Sequence, residues 1–238
     1  MSIKFYFTLF IFSLFLFACT KTQNEEVAGI GSDYYPALKG SYIVYDVDST
    51  AYIQLPSVDT IHTKFLIKEV IDSIFTDNEG RPTLHLVRYK KRYSALIPYS
   101  QMDWEIQDVW TANKTTSTAE VVEENIRYIK LVFPVKNGKI WNGNAQNTIG
   151  DWDYKYENVD NPLTLNNLSF SKTLTVNQKN STTLINYQRY TEKYAKGVGL
   201  IYKEISDVKS NTVTTAPILN RIEQGIVYKM TVIEYGHL

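Results

Sequence analysis

Two carboxylates flank a tryptophan in the second half of the chain, and this pattern is the one most typical of catalysis. Asp151 and Asp153 are separated by Trp152 in a run that alternates polar and aromatic residues. Residues two apart on a β-strand point to the same face, so the two carboxylates would lie side by side. Paired carboxylates beside aromatic rings can hydrolyse glycosidic bonds when they are held at a set distance. Solvent-facing strand residues explain such a pair more simply, so the sequence assigns no catalytic residue.

The tryptophans are the better candidates for a binding site. The chain contains four of them, Trp104, Trp110, Trp141 and Trp152. Indole faces stack on sugars and on hydrophobic ligands, and ligand pockets are lined mainly by apolar and aromatic side chains. Large aromatic side chains also dominate protein cores, so core packing is the alternative interpretation. The even separation of Trp104 and Trp110 predicts that these two share one face of a strand.

Other residue types that carry chemistry lack the spacing that chemistry requires. His62, His85 and His237 are scattered, and none has a second ligand-type residue at a metal-binding spacing. No serine lies in a Gly-x-Ser-x-Gly elbow. The Gly-Val-Gly of residues 197–199 lacks the third glycine and the helix of a dinucleotide site. We therefore expect no metal and no cofactor.

The single cysteine, Cys19, is placed for lipid attachment. Residues 5–17 form an almost unbroken apolar run after Lys4. That run suits a signal peptide and is too short for a membrane-spanning helix of about 20 residues. Leu16-Phe17-Ala18-Cys19 resembles the lipobox of bacterial lipoproteins, although Phe17 is larger than usual at its position. We predict a lipoprotein signal peptide over residues 1–18 and acylation of the Cys19 thiol; an ordinary secretory leader or a short N-terminal anchor are the alternatives.

The residues after Cys19 predict a tether to the membrane. Residues 19–33 are polar and poor in aromatic side chains, as a flexible linker should be. Glu25 and Glu26 resemble an export signal that carries lipoproteins to the outer face of the outer membrane in one group of Gram-negative bacteria. Flexible tethers are also often acidic without such a role. We expect an outer-membrane protein, anchored by its lipid and either periplasmic or surface-exposed.

The charge balance argues against nucleic acid as a partner. The chain has 25 Lys and Arg residues and 25 Asp and Glu residues. Phosphate binding relies on clustered positive charge. The one basic run, residues 90–92, would place its middle lysine on the opposite strand face from its neighbours. A glycan, a lipid or another envelope protein therefore remain the open partner classes, beside the membrane itself.

Composition and alternation predict an all-β domain. Eighteen tyrosines and many threonines favour strands over helices. Residues 61–75 fit both helical and strand spacing, and we predict a strand because β-branched residues are dense and a turn follows at residues 77–80. Residues 158–167 have the composition of a loop. We expect residues 34–238 to form a single domain, an antiparallel meander sheet with little helix, curved into a half-barrel or packed as a sandwich.

Three segments together resemble a group of known sequences. They are Asp33-Tyr34-Tyr35-Pro36, residues 131–135 with Trp141-Asn142-Gly143-Asn144, and residues 194–204. The chain in this respect resembles uncharacterised outer-membrane or periplasmic lipoproteins of Gram-negative bacteria, over most of its mature length. The resemblance implies a class and a location. It implies no functional residue, because those proteins carry no assigned activity.

These patterns lead to the hypothesis of a lipid-anchored envelope protein that binds or scaffolds rather than catalyses. One rival is an envelope enzyme that acts on glycans through Asp151 and Asp153. A second rival is a structural subunit of a larger envelope complex. An aromatic cleft with facing carboxylates would favour the enzyme, and an exposed apolar patch would favour the subunit.

Overall fold

The computed structural model describes residues 29–54 and 57–238. The predicted signal peptide, Cys19 and most of the predicted tether lie outside the described residues. The described chain forms one antiparallel sheet of twelve strands. In chain order these are β1 (Ser41–Gln54), β2 (Val58–Thr76), β3 (Pro82–Arg92), β4 (Glu105–Lys114), β5 (Thr118–Glu123), β6 (Ile126–Val132), β7 (Ile140–Asn142), β8 (Asp153–Leu165), β9 (Leu168–Thr182), β10 (Asn186–Ala195), β11 (Gly199–Lys209) and β12 (Gln224–His237).

Helical structure in this part of the chain is confined to short 3-10 turns. They span Ser32–Tyr34, Tyr99–Gln101 and Ile218–Asn220. Among the residues that the structure describes, no helix has the length and apolar character needed to cross a membrane.

The strands form two meanders of six that meet in the middle of the sheet. Each strand pairs with its neighbours in sequence, except that β1 pairs with β12 and β6 does not pair with β7 in the ladder. The outer strands β6 and β7 nevertheless meet. Ile129 N donates to Gly143 O at 2.9 Å, and the Trp141 indole N–H donates to Ile129 O at 2.9 Å. The sheet therefore curls until its edges touch and nearly closes into a barrel, which confirms the all-β antiparallel meander.

The ambiguous segment and the presumed loop have different outcomes. Residues 61–75 lie inside the long strand β2, so the strand prediction is confirmed. The loop prediction for residues 158–167 is wrong, because β8 continues to Leu165. Asn158 and Asp160 have φ angles of 52° and 61°, a conformation that Asn and Asp tolerate better than most residues. These turn-forming residues thus lie in an irregular stretch within the strand, where the register with β9 shifts.

The segment before β1 closes one end of the sheet. The Tyr34 hydroxyl lies 2.9 Å from Asp160 Oδ1 and 3.1 Å from Thr173 O, and Gly197 N donates to Asp33 O at 2.9 Å. Tyr34 is 1% exposed, which shows how deeply this segment is packed. Residues 93–104, 143–152 and 210–223 connect strands at the opposite end. The N-terminal segment therefore enters at one end, and the three longest connections surround the other.

Candidate functional site

A cavity of about 210 Å³ lies inside the curved sheet, and we call it the inner cavity. Side chains from β2 to β6 and from β10 to β12 line it, together with Tyr35 of the N-terminal segment. Its apolar wall consists of Leu86, Val121, Leu200, Ile205, Ile226 and Met230. Its charged side chains are Glu69, Arg88, Glu123, Lys130, Glu192 and Lys203. The inner cavity thus combines an apolar wall with ionised groups that are largely shielded from solvent.

Four of these ionised side chains form one connected group, the charge cluster of Glu123, Lys130, Glu192 and Lys203. Lys130 Nζ lies 2.7 Å from Glu123 Oε1 and 3.0 Å from Glu192 Oε1. Lys203 Nζ lies 3.5 Å from Glu123 and 3.6 Å from Glu192. The Tyr194 hydroxyl donates to the second oxygen of Glu192 at 2.6 Å. Two ammonium groups therefore neutralise two carboxylates in a buried site.

A β-bulge helps to bring Lys130 into the cluster. The pairing of β6 with β5 shifts between Ile129 and Leu131, so that Lys130 has no partner across the ladder. Such an extra residue bends the strand and re-aims side chains. Glu192 and Lys203 face each other directly across β10 and β11. The cluster therefore depends on a local irregularity on one side and on ordinary cross-strand pairing on the other.

The cluster controls the ionisation of its members. Burial acts to raise the pKa of Glu123, but Lys130 and Lys203 outweigh it and hold that pKa at about 2. Burial likewise acts to raise the pKa of Glu192, and the same two lysines lower it. Burial opposes the charge of Lys130, yet its two carboxylate neighbours raise its pKa well above the ordinary value. Glu123, Glu192 and Lys130 are therefore charged at neutral pH.

Arg88 and Glu69 form a second polar pair that is less well satisfied. Arg88 is 8% exposed, and its guanidinium lies 3.7 Å above the ring of Trp110. One terminal nitrogen lies 3.3 Å from Asp108 Oδ2, and Nε lies 3.4 Å from Glu69 Oε2. Within the described part of the chain the Nε–H makes no hydrogen bond, because its approach to Glu69 is poorly aligned. Burial raises the pKa of Glu69 more than Arg88 lowers it.

A second cavity of about 280 Å³, the outer cavity, adjoins the first. It shares Glu123, Lys130, Lys203 and Ile205 with the inner cavity, so the charge cluster forms part of both walls. The remaining lining is aromatic and amide-rich, with Tyr128, Asn144, Ile149, Trp152, Tyr154, Gln178 and Tyr190. Ile149 is 48% exposed and lies on the connection between β7 and β8, so the outer cavity lies at the end of the sheet away from the N-terminal segment.

The structure distributes the four tryptophans over different environments. Trp110 lines the inner cavity and Trp152 lines the outer cavity. Trp141 packs where β6 and β7 meet, with its ring 4.4 Å from that of Tyr156. Trp104 precedes β4, and Lys91 Nζ lies 4.7 Å from its ring centre. The four residues thus do not form one site.

The expectation that Trp104 and Trp110 share one strand face is wrong. Trp104 lies before the first residue of β4. The pairing with β3 also shifts between Ile106 and Asp108, which leaves Gln107 without a partner. A bulge of one residue reverses the alternation of the side chains beyond it. The even spacing in sequence therefore does not correspond to a common face.

Asp151 and Asp153 lie outside both cavities. Both side chains are exposed, and Asp151 Oδ1 accepts a hydrogen bond from Asn142 Nδ2 at 2.6 Å. Asp153 pairs with Asn142 in the ladder between β7 and β8. Neither aspartate lines the inner or the outer cavity. Within residues 29–54 and 57–238, no group of three or more His, Cys, Asp or Glu is arranged to hold a metal ion.

The sequence interpretation missed the charge cluster. Glu192 lies between Tyr190 and Tyr194 on one face of β10. The sequence did contain a signal for this residue, because an ionisable side chain is unusual on an aromatic, inward-facing side of a strand. Lys130 gave no such signal, because its bulge is not visible in the alternation of β6.

No protein-family model matches this chain, and the curated proteins contain no significant match to it.

Proposed function

We propose that this protein is a lipid-anchored cell-envelope protein that holds a small, uncharged amphipathic molecule in the inner cavity. The observation that carries the proposal is the buried Nε–H of Arg88, a residue that lines the inner cavity; this N–H has no hydrogen-bond partner among the described residues. Buried donors are nearly always paired in native proteins, and an unpaired one costs about 1–3 kcal/mol. A ligand that supplies an acceptor would remove this cost.

The size of the inner cavity sets the size of the ligand. A dry apolar cavity of about 150 Å³ accommodates benzene. The inner cavity measures about 210 Å³, which corresponds to roughly eight non-hydrogen atoms on the same scale. A short aliphatic or monocyclic compound with one polar group therefore fits.

The balance of charge sets the ionic state of the ligand. Three cations, Arg88, Lys130 and Lys203, line the inner cavity together with three carboxylates. A charged ligand would bring an uncompensated ion into a desolvated site, which is costly. A hydroxyl group avoids that cost and still offers an acceptor to Arg88 and a donor to Glu69.

A matched set of octyl compounds tests this assignment. We expect 1-octanol to bind saturably to the full chain carrying Cys19→Ser, with octanoate and octylamine at least about tenfold weaker. Isothermal titration calorimetry measures all three. Tighter binding of either charged compound, or binding of none, would contradict the proposal.

A pair of variants locates the binding. Val121 lines the inner cavity and is 6% exposed, whereas Val109 on the neighbouring strand β4 is 51% exposed. Val121→Phe fills the inner cavity and should abolish octanol binding, while Val109→Phe should leave it unchanged. Urea unfolding confirms that both variants are folded. Equal octanol binding by the two variants would place the site elsewhere.

The lipid anchor is tested separately through Cys19, the single cysteine of the chain. Acyl chains contribute about 0.8 kcal/mol per buried methylene, so several chains on one residue hold a protein firmly. Cys19→Ser should therefore release the protein from membranes. Fractionation after high-salt and carbonate washing measures this release. Sedimentation of the variant with the membranes after those washes would exclude the lipoprotein assignment.

A further inference from the structure

The outer cavity contains a buried amide with an unused donor. Gln178 is 5% exposed, lines the outer cavity, and its Nε2 makes no hydrogen bond within the described part of the chain. A buried amide nitrogen normally donates to a protein group or an ordered molecule. The donor is therefore available to an acceptor that enters the outer cavity.

The backbone places Gln178 in this position through a β-bulge. The pairing of β9 with β10 shifts between Asn177 and Lys179, which leaves Gln178 as the unpaired extra residue. Bulges of this kind are common beside functional sites, where they redirect a side chain. Two bulges, at Gln178 and at Lys130, thus deliver polar side chains to the outer cavity.

The remaining wall combines aromatic rings with a rigid rim. The rings of Trp152 and Tyr190 pack edge to face with centres 5.1 Å apart. The Tyr190 hydroxyl donates to Asp207 Oδ2 at 2.7 Å, which fixes the orientation of that ring. Asn144 Nδ2 donates to Gly150 O at 2.8 Å and thereby braces the connection that forms the rim. The aromatic surface is held in place before any ligand arrives.

We infer that the outer cavity is a second binding site, for a neutral, pyranose-sized polyhydroxy ligand. Aromatic faces accept the apolar C–H face of a sugar ring, and the Gln178 amide and the charge cluster meet its hydroxyl groups. A pyranose has about twice as many non-hydrogen atoms as the benzene that fills a cavity of about 150 Å³, and the outer cavity measures about 280 Å³. The charge cluster is balanced, with two carboxylates and two ammonium groups, so the site selects against a charged sugar.

The inference is tested with glucose, galactose, mannose and N-acetylglucosamine, against glucuronate as the charged comparison. Saturation-transfer NMR on the full chain carrying Cys19→Ser should show saturable binding of at least one neutral sugar. Gln178→Leu should weaken that binding at least about tenfold, since it removes the donor and keeps an apolar side chain of similar size. Gln107→Leu is the matched control, because Gln107 is an exposed glutamine in another bulge, and it should have no effect.

The outcomes separate this site from the inner cavity. Val121→Phe fills only the inner cavity and should leave sugar binding unchanged. If this variant binds sugar but no longer binds octanol, the result supports sugar binding in the outer cavity and octanol binding in the inner cavity. Equal binding of the free sugar and its methyl glycoside would identify the end of a glycan chain as an accessible source, and loss of the glycoside would identify the free sugar. Absence of binding for all neutral sugars, tighter binding of glucuronate, or binding unaffected by Gln178→Leu would overturn the inference.

Discussion

Lys130→Met is expected to lower the free energy of unfolding by about 3–5 kcal/mol, the usual cost of removing one partner from a buried ion pair. Methionine keeps most of the side-chain volume and removes the ammonium group. Glu123 and Glu192 would then share only Lys203, whose Nζ lies 3.5 Å and 3.6 Å from them. Both carboxylates would remain buried without their nearest cation. Urea unfolding of the full chain carrying Cys19→Ser, with and without Lys130→Met, measures the loss.

Lys155→Met provides the control. Lys155 is exposed and lies 3.7 Å from Glu157, an ion pair on the surface. Exposed pairs contribute about 0–1 kcal/mol. A loss of stability in Lys130→Met no larger than that in Lys155→Met would show that the charge cluster does not stabilise the fold.

The pH dependence of the free energy of unfolding gives an independent check that the charge cluster stabilises the fold. The folded protein holds the pKa of Glu123 at about 2, below its ordinary 4.5, and lowers that of Glu192. A lowered pKa contributes stability that is present above the unfolded value and is lost as the pH falls through the folded value. In Lys130→Met these two pKa values rise, so protonation stabilises the variant. The difference in stability between the two proteins should therefore be largest at neutral pH, should begin to shrink as the pH falls through the raised pKa values of the variant, and should continue to shrink from 4.5 towards 2.

The strand pattern of this chain was legible in the sequence because it is local. Alternation over residues 151–156 and the β-branched density of residues 61–75 both reflect one buried and one exposed strand face. The loop prediction for residues 158–167 failed because Asn and Asp in left-handed conformations can interrupt a strand without ending it. Whether the strand continues past such an interruption depends on its pairing with the neighbouring strand. The local composition contains no information about that pairing.

The closure of the sheet and the two cavities depend on residues that are distant in sequence. Lys130 and Glu192 are separated by 62 positions in the sequence. The first strand, β1, pairs with the last, β12. Bulges at Gln107, Lys130 and Gln178 change which side chains face inward. One extra residue in a strand leaves hardly any trace in a hydrophobic pattern. The sequence could therefore name the tryptophans as candidates but could not assign each to a cavity or to packing.

Trp141→Ala is the second large effect that we expect, a loss of about 3–5 kcal/mol in the free energy of unfolding. Trp141 lies where the edges of the sheet meet. Its ring packs 4.4 Å from Tyr156 and 5.8 Å from Tyr154. Its indole N–H donates to Ile129 O, on the neighbouring edge strand β6. Alanine would remove this packing and leave a carbonyl group unpaired at the junction.

The junction should loosen as well as lose stability. A Cβ atom at Gly143 would overlap the ring of Tyr154, so the backbone already approaches that ring as closely as glycine allows. Little rearrangement can then fill the space left by Trp141. The amide of Ile129, which donates to Gly143 O, should exchange with solvent faster in Trp141→Ala. Hydrogen exchange followed by mass spectrometry measures this change.

Trp104→Ala separates a tryptophan at the junction from a tryptophan on the periphery. Trp104 precedes β4 and contacts Lys91 through its ring, so its replacement should cost less than about 1 kcal/mol. Exchange at Ile129 should remain as slow as in the parent protein. Similar losses of stability in the two variants would mean that Trp141, like Trp104, is a peripheral residue that does not hold the edges of the sheet together. A large loss confined to Trp141→Ala, with faster exchange at Ile129, would mean that this indole holds the two edges of the sheet together and so preserves the enclosed space in which both cavities lie.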